Sequence, residues 1–153
     1  MKHVDIYLEN AGKSVKKKEG WYGYVLAYQG TQLYTREGFQ KTEDTKNERD
    51  VRMLLEALSR CKPCETVIHT ESQYLQGTIG RLAHYQENGW KKSDGTEIKY
   101  RELWQQVSEA AKDKEITFRT GSHEFTGWIR TEIERREKDD KQRNERIPEP
   151  IQG

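Results

Sequence analysis

The chain has 153 residues, of which 35% are charged and 32% hydrophobic, and its formal net charge is +1. That length suits one domain with its own core, and the balanced charge excludes binding through global basicity, so a nucleic-acid partner needs a local patch. No apolar run approaches the roughly 20 residues of a membrane span, and the start MKHVDIYLEN reads as neither signal nor transit peptide; both predict a cytoplasmic protein without a membrane partner.

In HVDIYLE, Val4, Ile6 and Leu8 alternate with Asp5, Tyr7 and Glu9, which predicts a strand with one apolar and one polar face. AGKSVKKKEG follows as a solvated loop with four lysines, Lys13 to Lys18. WYGYVLAY and TQLYTREGF predict two further strands, joined at Gln29-Gly30 by a short hairpin. DTKNERDVRMLLEALSR predicts a helix, because Val51, Leu54, Leu55 and Leu58 recur at helical spacing.

Cys61 and Cys64 lie in CKPC, between that helix and the next strand. No second pair completes a four-ligand zinc site. A helix-to-strand turn is also not the helix N-terminus that activates a redox thiol. They read as ordinary thiols.

ETVIHTE predicts a fourth strand that stops at Glu71, and Ser72 then opens a helix through Leu75, Ile79 and Leu82 to the stop signal Asn88-Gly89. A carboxylate there is either a solvated strand end or, at the carboxyl edge of a central strand, part of a ligand site. KKSDGTEIKY is a polar loop. YRELWQQVSEAAK is an amphipathic helix with Leu103, Trp104 and Val107 inward, EITFRT a last strand, and HEFTGWIRTEIERREK a helix with Phe125, Trp128, Ile129 and Ile133 as its apolar positions. DDKQRNERIPEPIQG is a charged, flexible tail that buries little. The expected organisation is a domain over 1–138 and a tail over 139–153.

Three strands, then a helix, a strand, helices, a strand and a helix predict a mixed α/β fold: a five-stranded sheet with helices on both faces. A right-handed crossover would set the first and fourth strands parallel and adjacent, so that Glu9 and Glu71 end side by side.

TESQYLQG, NGWKKSDGTEIKYRELW and GSH, on this layout, resemble type 1 ribonuclease H over residues 3–135. The resemblance implies a ribonuclease H-like fold and a metal-dependent endonuclease that cuts the RNA strand of RNA–DNA hybrids. It also implies two Mg2+ or Mn2+ ions held by four carboxylates, together with a histidine. Carried over singly, the first-strand aspartate falls on Glu9, the helix glutamate on Asp50, the aspartate of TDSQY on Glu71 and the last-helix aspartate on Glu132, with Glu124 as the second choice for that position. The histidine falls on His123. Each family aspartate is thus a glutamate here, and the glutamate an aspartate. Substrate contacts implied by the resemblance are Asn10, Asn47, Ser72 and Gln73, with Trp90, Lys91, Lys92 and Lys99 in a basic protrusion that grips the DNA strand. No protein partner is implied.

The residues themselves support part of this. Asp50 flanks its helix's apolar stripe one turn before Leu54, and Glu132 shares a face with Trp128 and Ile129. Hard carboxylate oxygens suit magnesium or manganese, and two such ions clamp the attacking and leaving oxygens of phosphodiester hydrolysis. A non-catalytic hybrid- or double-strand-binding module, or a DNA-cutting nuclease of the same fold, would share these features, since function lives in the site and not the fold.

Overall fold

The computed structural model describes residues 2–146. In chain order they form β1 (His3–Asn10), β2 (Lys18–Gln29), β3 (Leu33–Asp44), α1 (Lys46–Ser59), β4 (Glu65–Thr70), α2 (Gln73–Ile79), α3 (Leu82–Glu87), α4 (Arg101–Ala111), β5 (Glu115–Thr120) and α5 (Thr126–Arg146). The sheet order is β3-β2-β1-β4-β5. β1, β2 and β3 pair antiparallel, whereas β4 lies parallel to both β1 and β5. This is the mixed five-stranded sheet that the sequence predicts.

The central strands are buried on both faces. Ile6, Leu8, Tyr24, Leu26 and Ile68 pack with the apolar stripe of α1 and with Trp104 and Val107 of α4. Tyr7, Val25 and Ala27 pack beneath Ile129 and Ile133 of α5. The predicted polar face of β1 is therefore covered, and Tyr7 and Glu9 are both buried. The alternation in β1 separates two cores, not core from solvent.

Local chemistry explains three departures from the predicted boundaries. β3 continues through QKTED because every residue from Leu33 to Asp44 pairs with β2. The helix expected from Ser72 to Asn88 breaks into α2 and α3 at Gly80, where glycine weakens a helix interior. α5 continues past residue 138 to Arg146, so residues 139–146 are helix; Arg135 pairs with Asp139, and Asp140 accepts from Lys41 Nζ at 3.2 Å and from Trp21 Nε1 at 3.3 Å. The remainder of the expected tail, residues 147–153, lies outside the described residues. No helix among the described residues is long and apolar enough to cross a membrane.

Candidate active site

β1 and β4 run parallel in register, Tyr7 opposite His69, so that Glu9 and Glu71 leave the same edge of the sheet two residues later. α1 starts beside that edge, where the Thr45 hydroxyl caps it by accepting from Glu48 N at 3.1 Å. Asp50, one turn in, then points at the two strand ends. Glu9, Asp50 and Glu71 line one cavity of 160 Å³ together with Asn10, Lys46, Ser72 and Arg130.

Asp50 is 2% exposed and fully partnered. Its Oδ1 accepts from Asn10 Nδ2 at 2.8 Å, and its Oδ2 from Ser72 Oγ at 3.0 Å and Lys46 Nζ at 3.3 Å. Ser72 also caps α2, since the same Oγ accepts from Leu75 N at 3.1 Å. The expected cap at Ser72 is present, and the same oxygen also holds Asp50. Asn10 and Ser72, expected to touch substrate, point inward to hold Asp50.

Glu9 lies between Arg130 and His123. Arg130 Nε donates to Oε1 at 2.6 Å, and His123 Nε2 stands 3.2 Å from Oε2. His123 Nδ1 accepts from Phe125 N at 3.2 Å, which leaves the ring proton on Nε2, where it reaches Leu8 O at 3.4 Å with Glu9 Oε2 alongside. Burial alone would raise the Glu9 carboxyl, but the hydrogen bonds from His123 and Arg130 outweigh it and hold the pKa below the ordinary value. His123 is itself buried and stands behind Glu9, away from the cavity wall.

Arg130 is the residue that sequence reasoning missed. Its Nη2 also pairs with Glu71 Oε2 at 3.2 Å, so one guanidinium bridges the carboxylates of both strand ends. With Ile129 and Ile133 packed on the sheet, positions 130 and 132 fall on opposite flanks of α5, since two residues advance a helix by about 200°. Arg130 takes the flank over the strand ends. Glu132 takes the other, with Trp128 and Arg136 beside Phe39 of β3, and pairs with Arg135 at 2.9 Å. Glu132 therefore does not reach the cavity. Glu124 does not either: it accepts the Tyr7 hydroxyl at 2.5 Å on the far side of His123.

The other expected contacts remain outside the cavity. Asn47 is exposed in the first turn of α1, and Gln73 is exposed at the start of α2. Trp90 is half-buried against the larger core, while Lys91 and Lys92 are exposed on the turn that Lys91 and Glu97 close, and Lys99 is exposed just after it.

Three hard-oxygen carboxylates on one cavity suit a divalent cation, and Lys46 and Arg130 already place positive charge between them. As the side chains lie, no three acidic, histidine or cysteine groups among the described residues stand close enough to enclose an ion. The donor chemistry suits a divalent ion, and Arg130 occupies Glu9 and Glu71 in its place.

A family model for RNase H matches residues 1–123 and ends before α5, the helix that carries Arg130 and Glu132. The Ribonuclease H of Chelativorans sp. (strain BNC1) is 33% identical over 118 residues, 76% of this chain and 71% of that protein. The Ribonuclease H of Rhizobium johnstonii (strain DSM 114642 / LMG 32736 / 3841) is 35% identical over 116 residues, 74% of each. Among solved structures, LC9-RNase H1, described as a type 1 RNase H with the type 2 active-site motif, matches with a TM-score of 0.70 at 19% identity, covering 88% of this chain and 72% of that one. The foamy viral protease-reverse transcriptase in complex with RNA/DNA hybrid matches with a TM-score of 0.63 at 16% identity, covering 82% of this chain and 18% of that one. At those identities the structures speak to the fold alone, and the fold agrees.

Proposed function

Because the chain belongs to the ribonuclease H family, we propose that it is a cytoplasmic endonuclease hydrolysing the RNA strand of RNA–DNA hybrids. The observation that carries this is the meeting of Glu9, Asp50 and Glu71, from three different elements, on one cavity at the strand ends. We assign the metal-holding role to these three and leave Glu132 and Glu124 out of the set. Bound Mg2+ or Mn2+ would polarise the scissile phosphate and lower the pKa of the attacking water.

The chain's own residues prepare that site. His123 and Arg130 keep Glu9 anionic. Asn10, Ser72 and Lys46 fix Asp50 so that its carboxylate needs no reorganisation when charge develops. His123 acts by positioning Glu9. Asn47 and Gln73 are assigned to the RNA strand, and Trp90, Lys91, Lys92 and Lys99 to the phosphates and bases of the DNA strand, where clustered lysines and an aromatic suffice.

A second reading has one specific observation in its favour: the Arg130 bridge already neutralises two of the three carboxylates, as a hybrid-binding module without chemistry would require. Incubating labelled hybrid, duplex RNA and duplex DNA with the protein separates the two. The nuclease cuts only the hybrid, only with divalent metal, and stops on chelation. Tight hybrid binding with no cleavage in either metal establishes the binding module instead.

A further inference from the structure

Arg49 is fully buried, at 1% exposure, yet all its hydrogen-bond acceptors are neutral. Its Nε donates to Thr42 Oγ1 at 3.2 Å, and its Nη2 faces the carbonyls of Lys18, Thr42 and Asp44 at 2.6, 3.0 and 3.1 Å. Nη1, with two N–H groups, has no acceptor among the described residues. Burying a cation with no carboxylate bonded to it is costly. Burial pulls the Arg49 pKa down, and the more distant charges of Asp44, Asp50 and Glu48 only partly oppose this; a guanidinium stays protonated regardless.

Two glycines make room for the guanidinium itself, which lines a cavity beside them. A Cβ at Gly12 would overlap Nη1, and one at Gly20 would stand 2.8 Å from Cζ. Between these glycines and the far end of α5 lies a cavity of 630 Å³, lined by five cationic side chains and three carboxylates. One of those carboxylates, Asp140, is already held by Lys41 and Trp21. Lys13 lines both this cavity and the one holding Glu9, Asp50 and Glu71.

We propose that Arg49 Nη1, with Lys13 and Lys18 at the rim, forms an anion site that takes a backbone phosphate of the nucleic-acid strand passing the carboxylate cavity. The phosphate supplies the acceptor that Nη1 lacks, and Lys13 spans the two cavities. The anion chemistry stands on Arg49 alone, whereas its source in nucleic acid rests on the nuclease reading above.

The wild-type protein, free of metal and nucleic acid, is titrated with inorganic phosphate while the Arg49 Nε–Hε and Gly12 amide signals are followed by NMR. Saturable shifts of both are expected, and in Arg49→Met, its fold checked by circular dichroism, the Gly12 amide should no longer shift. No saturable shift in the wild type across a millimolar titration overturns the site. Affinity for uncleaved hybrid in chelator is then measured against salt. Loss of one phosphate contact in Arg49→Met should reduce the log–log slope by about 0.7–0.9. Where Arg49→Met does not fold, Lys13→Glu on the rim should weaken the phosphate response and hybrid binding together. Phosphate shifts with an unchanged hybrid slope would mean a free-anion site and overturn the nucleic-acid assignment. A protein that cuts no hybrid would leave the phosphate shifts intact, so failure of the nuclease reading is read separately.

Discussion

Arg130→Met should tighten binding of a divalent ion while loosening the apo fold. In the apo protein Arg130 holds Glu9 at 2.6 Å and Glu71 at 3.2 Å, and an ion bound by these carboxylates must break both contacts. The Glu71 pair is half-exposed on both sides and is worth at most about 1 kcal/mol. The Glu9 contact has one buried partner and one half-exposed one, and a charge-assisted hydrogen bond of this kind contributes about 1–2 kcal/mol after discounting for solvent. Together they oppose an ion by about 2 kcal/mol, which is on the order of thirtyfold in affinity. Isothermal titration of Mn2+ into wild type and Arg130→Met reads this directly, with Arg135→Met as a control on the outer flank of α5. Thermal denaturation of the apo variant should show a loss of similar size. Affinity that is unchanged or weaker in Arg130→Met would refute the reasoning, because the guanidinium would then help the ion and not compete with it.

Glu71→Gln should abolish hybrid cleavage with little change in melting temperature, since it removes one ligand charge and only a half-exposed ion pair; cleavage near the wild-type rate would make Glu71 a mere strand end. Gly23→Ala should destabilise by about 1–3 kcal/mol in chemical denaturation, because its Cβ would stand 2.5 Å from Phe39 Cε1 and 2.9 Å from Ile129 Cγ2, where β2 meets α5. Glu9 has a folded pKa below its unfolded value, so its contribution to stability is present above the unfolded value and lost as pH falls through the folded one. Melting temperature should therefore fall below about pH 4.5, the ordinary glutamate value, and Arg130→Met should flatten that acid limb. Truncation after Lys138 should cost about 1 kcal/mol or less, since it removes only the partly exposed Asp140 contacts to Lys41 and Trp21; a stability loss several times larger would show that the end of α5 carries packing beyond these contacts.

The sheet order was legible because alternation in HVDIYLE and the apolar run in ETVIHTE are strong signals, and a crossover of α1's length leaves parallel neighbours as the simple solution. The placement of Glu9 and Glu71 at neighbouring strand ends, and of Asp50 on the flank of a strongly patterned helix, was legible for the same reason, whereas their choice as a set came from the resemblance to type 1 ribonuclease H. Glu132 was not, because its periodicity places it correctly beside Trp128 but says nothing about which flank of α5 faces the strand ends. That choice is made by tertiary packing, with Phe39 and Arg136 claiming one side. Arg130 was hidden by the same ambiguity, and by the habit of reading acids alone as site residues. The burial of Glu9 was hidden because a strand covered on both faces can still alternate.

The Ser72 hydroxyl donates to Asp50 and accepts from Leu75 N with one oxygen, and this constrains how the sequence can vary. Alanine at 72 would fray the start of α2 and free one oxygen of Asp50 together. Lengthening Asp50 to glutamate would push against a hydroxyl that cannot retreat without uncapping the helix. Neither position has a neutral single step toward a different acid, so acceptable changes at 50 and 72 arise as pairs, and the effects of the two singles should not add. The aspartate at position 50 is thereby locked in by a helix cap, independently of any role in catalysis.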